Sequence, residues 1–372
     1  MTVGAAKVRV DVYRNAGWRE LTGYYGGSFN ATPNAASRME LTFPNKMGKN
    51  LNIVHIGEII RLHVGLDGLP VNPRFYGFVA NRNLLQSSGQ ASVSFECFDF
   101  LGLAQREQIK LEELGQSVEG MDTGTAIKWI LETMAGGYIG STYGLSTDGI
   151  VGVKDQRKVL VSDGLYTPEY GTKLGVIQEL NEMSFIDQYP APPRPYVILQ
   201  DGAGVFHHRP VSDITNGTPR LTVQYAGNMA KLDQKTRTAK LLNNCKVIGA
   251  PDPNSLTNEK FVGQFHDLSF TVVQGGVWDG KFNKAWCASV DACRDYAMRK
   301  VALYRDYYEP VVLALRRGYY LMVGDLINLE NVEQASRDEN MRVLEVDVMF
   351  QPMDFSVRLT LGAMNYLPTD YI

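Results

Sequence analysis

The stretch HIGEIIRLHV at 55–64 recurs near the other end of the chain as LMVGDLINLE at 321–330. Each copy sets a Gly–acid dipeptide, Gly57–Glu58 or Gly324–Asp325, ahead of an apolar, strand-like run. The repetition continues downstream. The first copy runs on through RFYGFVAN, a turn and SVSFECFD; the second runs on through MRVLEVDV, a turn and FSVRLTLG. Three strands in the same order imply a duplicated unit. Glycine at the start of such a strand suits a bulge or turn, because the missing Cβ permits positive φ or close packing. The acid beside it is expected to face solvent or a neighbouring chain.

The flanking segments are also strands. KVRVDVY (7–13) puts Val8, Val10 and Val12 on one face, and SRMELTF (37–43) does the same with Met39, Leu41 and Phe43. SSGQ (87–90) supplies a hairpin-like turn between two strands of the first copy. A run of short antiparallel strands needs a sandwich or small barrel to hide its apolar face.

The middle reads differently. TAIKWILETM (125–134) carries Ile127, Ile130, Leu131 and Met134 on one helical stripe, with Asp122 or Thr123 as N-cap. TKLGVIQELNEMS (172–184) predicts a second helix with Leu174, Ile177 and Leu180 inward. YVILQDGAGVF (196–206) predicts a hairpin around Asp201–Gly204. Later, Trp286, Val290, Cys293, Ala297, Val301 and Tyr304 recur at spacings of four and three, predicting the packing face of a helix over about 285–305. The fold class expected is mainly β with an α+β insertion. The divisions are 1–105 (first β domain), 106–225 (inserted α+β domain) and 226–372 (second β domain carrying that helix).

Bulk properties narrow the function classes. Of the 372 residues, 44% are hydrophobic and 21% charged, the balance of a globular chain. A net charge of −3 and the lack of a long Lys/Arg run argue against a sequence-reading DNA binder. The start, MTVGAAKVRVDVYRN, lacks the apolar core of a signal peptide, and no stretch approaches the ~20 apolar residues of a membrane span. Cys97, Cys245, Cys287 and Cys293 do not make a disulfide framework. Cys287 and Cys293, read as one helix, fall on different faces. Reduced thiols in a cytoplasm are expected.

The pattern supplies little chemistry. His207 and His208, adjacent in a strand, point to opposite faces. His55, His63 and His266 complete the histidines, and neither HExxH nor CxxC occurs. GAGVFH lacks the following helix and acid of a dinucleotide site, and no serine or cysteine sits in a GxSxG elbow. Glu112–Glu113 and Glu179 with Glu182 are the candidate carboxylate pairs for a glycoside hydrolase. Spacing i, i+3 on a helix, as in Glu179 and Glu182, is ordinary for a solvated face. Tyrosine-rich GYYGG (23–27), RDYYEP (305–310) and RRGYY (316–320) suit subunit packing or sugar binding. Catalytic residues, metal and cofactor are all expected to be none.

In layout the chain resembles the baseplate hub, or tail-tip hub, family of bacteriophage tails and related injection machines. The matching features are the strand ending FPNK (43–46), the Gly57–Glu58 strand, FYGFV, FECFD, the helix in WCASVDACRDYAMRKVALY, the Gly324–Asp325 strand and the closing strand pair. The resemblance implies two tail-tube-like β-barrel domains flanking the insertion. It further implies a non-enzymatic virion protein of the tail tip, assembled in the host cytoplasm as a homotrimer. Three chains would present six tube-like units, adapting a six-fold tail tube or distal tail protein above to a three-fold spike or central fibre below. DNA would pass through the lumen without sequence-specific binding. The alternatives are a tail-associated wall hydrolase, with its site in 106–225, and a carbohydrate-binding tail protein.

Overall fold

The computed structural model describes residues 5–67, 71–87, 90–110, 118, 120–134, 144–150, 170–186, 194–210, 218–224, 229–234, 242–273, 275–284, 287–304, 311–315, 318–330 and 339–363. The first part is β1 (Ala6–Arg14), β2 (Gly17–Leu21), β3 (Gly26–Ala31), β4 (Arg38–Pro44), β5 (Ile59–Leu66), β6 (Asn72–Ser87) and β7 (Gln90–Asp99), followed by α1 (Phe100–Arg106). The middle holds β8 (Gln108–Lys110), α2 (Thr123–Met134), β9 (Ser146–Ile150), β10 (Tyr170–Thr172), α3 (Lys173–Met183), β11 (Phe185–Ile186), β12 (Arg194–Gln200) and β13 (Val205–Pro210). Next come β14 (Leu221–Gln224), β15 (Met229–Gln234), β16 (Asn244–Pro251), β17 (Lys260–His266), α4 (Leu268–Val273), β18 (Asp279–Asn283) and α5 (Val290–Tyr304). The chain closes with β19 (Val311–Leu315), β20 (Leu326–Glu330), β21 (Glu339–Gln351) and β22 (Asp354–Ala363).

Period-two alternation makes the strands. In β4, Met39, Leu41 and Phe43 are fully buried while Arg38 is exposed. Each such side chain contributes roughly 1.5–3 kcal/mol by leaving water. Thirteen strands join in one sheet, whose path runs β15-β19-β22-β21-β3-β4-β7-β6-β5-β1-β2, with β20 on β21 and β14 on β20. The two ends of the chain therefore follow one plan. The first half is ordered β3-β4-β7-β6-β5-β1, and the second is ordered β15-β19-β22-β21-β20-β14. They differ in the last pair, since β1 is antiparallel to β5 whereas β14 is parallel to β20.

Two separate barrels were the expectation, and here the structure differs. Among the described residues no ladder closes either half into a barrel, and the halves are hydrogen-bonded into a single sheet through β3 and β21. The physical reason is that alternation identifies the buried face of a strand and says nothing of which strand it pairs with. One apolar core serves both halves, running from Val10, Leu41 and Phe95 to Leu313, Val346 and Leu359.

A second core takes α1, α2 and α3 together with α5, and sits on two small sheets, β11-β12-β13-β9 and β17-β16-β18. Helix α5, expected in the second β domain, thus packs with the middle of the chain. Conversely β14, expected in the insertion, belongs to the large sheet. The helix starts at Val290, with Ser289 Oγ accepting from Ala292 N, and Val290 itself is exposed. Cys293, Ala297 and Val301 are buried, joined by Tyr296 and Lys300. Trp286 and the side chain of Tyr304 lie outside the described residues. Cys287 precedes the helix, and all four cysteines are buried and outside any disulfide. Glycine lets helix and sheet approach: a Cβ on Gly263 of β17 would lie 2.3 Å from Arg294 N and 2.7 Å from Cys293 Cβ.

The Glu182 carboxylate ties the two parts of this second core together. It meets Lys284, the Tyr296 hydroxyl at 3.3 Å and the buried Lys300 ammonium at 3.7 Å. The solvated face expected for Glu182 is instead covered by α5 and β18, with Glu179 half-buried beside it. Removing one member of a buried ion cluster strands the other charges. Glu182→Ala is therefore expected to destabilise the protein by about 3 kcal/mol in chemical denaturation, and Lys284→Ala by less, since Lys284 is the more exposed of the two lysines.

Candidate functional site

The repeated Gly–acid dipeptides fold alike. Gly57 has φ +89° and Gly324 has φ +88°, the left-handed region that glycine enters without a Cβ clash. Gly57 N donates to Val79 O at 2.8 Å, and Gly324 N to Val343 O at 2.8 Å. Val79 N returns to Glu58 O at 2.9 Å, as Val343 N does to Asp325 O at 2.9 Å. One residue later each partner strand carries a bulge, between Val79 and Asn81 in β6 and between Val343 and Glu345 in β21. Turn, bonded valine and bulge form one device occurring twice.

The acids cap their own turns. Glu58 accepts from His55 N at 2.8 Å and Asp325 from Met322 N at 2.8 Å. Beyond that they diverge. Glu58 receives a two-pronged bond from Arg14, with Nε and Nη2 both at 2.5 Å. Burial pushes Glu58 up, but Arg14 and the His55 N–H outweigh it and hold the carboxyl below its ordinary range. Asp325 is fully buried, with Arg220 Nη1 at 3.3 Å. Burial wins there and raises it, against Met322 N–H, Arg220 and Arg74. The sequence reading has these acids facing solvent or a neighbouring chain; within the chain Glu58 is largely covered and Asp325 fully buried. The arginines have no sequence signal, because Arg14 lies in β1 and Arg220 ahead of β14, far from the acids they serve.

The seam between the halves is the ladder from Ala31↔Val346 to Gly27↔Phe350. Gly26 and Gly27 are required there: a Cβ on Gly27 would lie 2.3 Å from Glu40 O and 2.6 Å from Phe350 Cζ. Tyr24 bridges it, edge-on to Phe43 of the first half and to Phe350 of the second. Asn30 Nδ2 binds Glu345 at 2.8 Å and Asp347 at 2.6 Å. The seam covers the outer half of β21, burying Val346, Val348 and Phe350.

The equivalent stretch of β6 is uncovered. Among the described residues β5 pairs with β6 only as far as Phe78, and Asn81–Gln86 pair with β7 alone. All six are exposed, Leu84 at 60% and Leu85 at 56%. At the other end of the sheet, β15 takes the place in the second half that β3 takes in the first, and its outer edge is unpaired among the described residues. The molecule thus ends in two edges that match the two sides of its own seam.

Other candidates scatter. Glu112, Glu113, Tyr307 and Tyr308 lie outside the described residues. His207 pairs with Asp201 at 2.9 Å beside the hairpin turn, while His208 is buried on Tyr196. Tyr24 and Tyr319 are core residues, whereas Tyr25 is exposed. Among the described residues no three His, Cys, Asp or Glu side chains cluster as metal ligands would, and no helix is long and apolar enough to cross a membrane.

The two turn acids are expected to act with opposite sign on stability. Glu58, lowered, contributes stability that is present above its unfolded value near 4.3 and lost as pH falls through the folded one. Asp325, raised, keeps a proton in the native state that the unfolded chain has released, so its contribution declines as pH rises from about 4. Asp99, pushed up to about 7 by burial, has the sign of Asp325. In denaturation midpoints measured across pH, Glu58→Gln should lose part of the acid-side fall. Asp325→Asn should instead flatten the decline that accompanies rising pH.

No protein-family description matches the chain, and no curated protein matches it by sequence. Solved structures do. A tail protein from Neisseria meningitidis MC58 is 13% identical with a TM-score of 0.63, covering 97% of this chain and 99% of that one. The 43 kDa tail protein of prophage MuSo2 from Shewanella oneidensis is 8% identical with a TM-score of 0.61, over the same shares. An E. coli component of the type VI secretion system, structurally similar to T4 bacteriophage tail proteins gp27 and gp5, is 9% identical with a TM-score of 0.51 over 97% of this chain and 77% of that one. Over nearly its whole length the chain has the fold of these tail proteins.

Proposed function

We propose that this chain is a structural tail-tip hub, a non-enzymatic protein that closes into a ring from three copies. Each copy supplies two like β units, so three chains present six. Such a ring meets a six-fold tail tube on one face and a three-fold spike or fibre on the other, with DNA passing through the lumen. The observation that carries this reading is the pair of unused edges. Within the chain, β3 of the first half pairs with the outer half of β21. The corresponding strand of the second half is β15, and the corresponding stretch of the first half is Asn81–Gln86 of β6. Both are unpaired among the described residues on those edges.

Repeating the seam between chains therefore gives a head-to-tail contact, which is the kind that closes rings. It also covers Leu84 and removes two open sheet edges that would otherwise promote aggregation. The tail-protein fold of the Neisseria and Shewanella structures supports the assignment to a tail, and the secretion-system relative supports a role in an injection machine. The net charge of −3 suits a channel that does not grip phosphate. On this reading the domain plan is two tube-like units sharing one sheet, with a second core inserted between their strands.

The register of the contact follows from the seam. Phe29 faces Val348 there. Counting along the equivalent ladders, Gln234 takes the place of Phe29 and Leu84 that of Val348. A chain carrying both Leu84→Cys and Gln234→Cys is expected to give a covalent ladder ending at trimer on oxidation, with light scattering reporting three chains before it. Either cysteine alone should leave monomers on a denaturing gel. A protein that stays monomeric in solution and forms no cross-link overturns the ring.

A further inference from the structure

The buried cation Arg74 makes no ion pair among the described residues. It lies on β6 where the insertion hairpin meets the seam, and it is 5% exposed. Its guanidinium carbon stands 5.9 Å from the centre of the Phe29 ring. Nε is buried without a hydrogen-bond partner. No carboxylate lies within ion-pairing distance of Arg74 among the described residues. The charge nearest in effect is Asp325, whose Oδ2 accepts from Arg220 and Met322 N, whose Oδ1 has no hydrogen-bond partner among the described residues, and whose charge Arg342 also shares. Burial pulls Arg74 down only to about 10, so it stays charged at neutral pH. A buried, uncompensated cation is costly, and structures rarely retain one without a counter-charge.

Arg74 lines a cavity of about 30 Å³. Phe29 and Ser37 come from the first half, Val346 and Met322 from the second, and Gln200 from the insertion. That volume holds one monatomic anion, or one or two waters. Asp201 also lines it, but that carboxylate is occupied, accepting from Ala203 N and Val205 N and meeting His207 Nε2, each at 2.9 Å. Gln200 is likewise committed, through Oε1 to Phe100 N and through Nε2 to Tyr76 O. Of the charged and amide side chains that line the cavity, Arg74 alone keeps an unsatisfied nitrogen, and it is a cationic donor.

We propose that this cavity is a halide site in which a single chloride, held by the Arg74 guanidinium, neutralises the joint between the two β halves and the insertion. A water there would accept hydrogen bonds without supplying charge, which distinguishes the two occupants experimentally. The site stands apart from the ring contact, so it survives if the chain proves to be monomeric.

Two measurements on the full chain test it. Crystals grown or soaked in bromide are expected to show an anomalous peak within about 3.5 Å of Arg74, a charge-assisted contact with allowance for the larger ion. Replacing gluconate by chloride at constant ionic strength should raise Tm by about 2 °C in the wild type and leave Arg74→Gln unchanged. Absence of the bromide peak overturns the proposal, even where Arg74→Gln fails to fold. A peak without any chloride-dependent Tm means an adventitious ion only, and overturns it too.

Discussion

The rest of the architecture depends on the backbone ladder between β3 and β21. It turns two copies of a small β unit into one sheet of thirteen strands with a common core. The contact demands close approach, which Gly26 and Gly27 permit and any Cβ would block. It also demands that β21 be long enough for two tasks, pairing with β20 near its start and with β3 near its end. Strand β6, of 16 residues against 13 in β21, carries the same bulge, yet among the described residues only its first part is paired on both edges. One seam is satisfied within the chain and its counterpart is open among the described residues, which is the basis of the ring proposed above.

Duplication has not kept the copies identical. Both turns have the same glycine geometry and the same reciprocal bonds to a valine. The first acid is half-buried and clamped by Arg14, whereas the second is sealed beneath the seam, with a weaker bond to Arg220. That difference follows position. The first turn is near the surface, where a strong ion pair offsets burial. The second lies where the halves meet, so desolvation dominates the carboxylate. The same crowding leaves Arg74 and Arg342 buried nearby, both pulled down to about 10 by desolvation.

Local chemistry was readable residue by residue. Alternation located β1, β4 and β7 and their inward faces. Asp122 caps α2 through Thr125 N, and Thr172 caps α3 through Gly175 N. Gly204, at φ +91°, makes the turn between β12 and β13. The twin turns were visible as twin dipeptides. What could not be read were relations between distant segments. Val290 looked like a packing residue by its spacing, and it is exposed because the helix begins there. Glu182 looked like a solvated charge, and it is covered, beside the buried Lys300, because α3 and α5 pack into one core from segments far apart in the chain.

The sequence by itself determined the mainly β class, the duplicated strands and the ends of the central helices, because each depends on spacings of two to four residues and on the preferences of Gly, Asp and Thr. Only the tertiary structure decided that the halves share one sheet, that α5 joins the middle core, and that Arg14 and Arg220 answer the two turn acids. Those outcomes depend on strand partners and buried charges brought together over long separations, where periodicity carries no information about which surfaces meet.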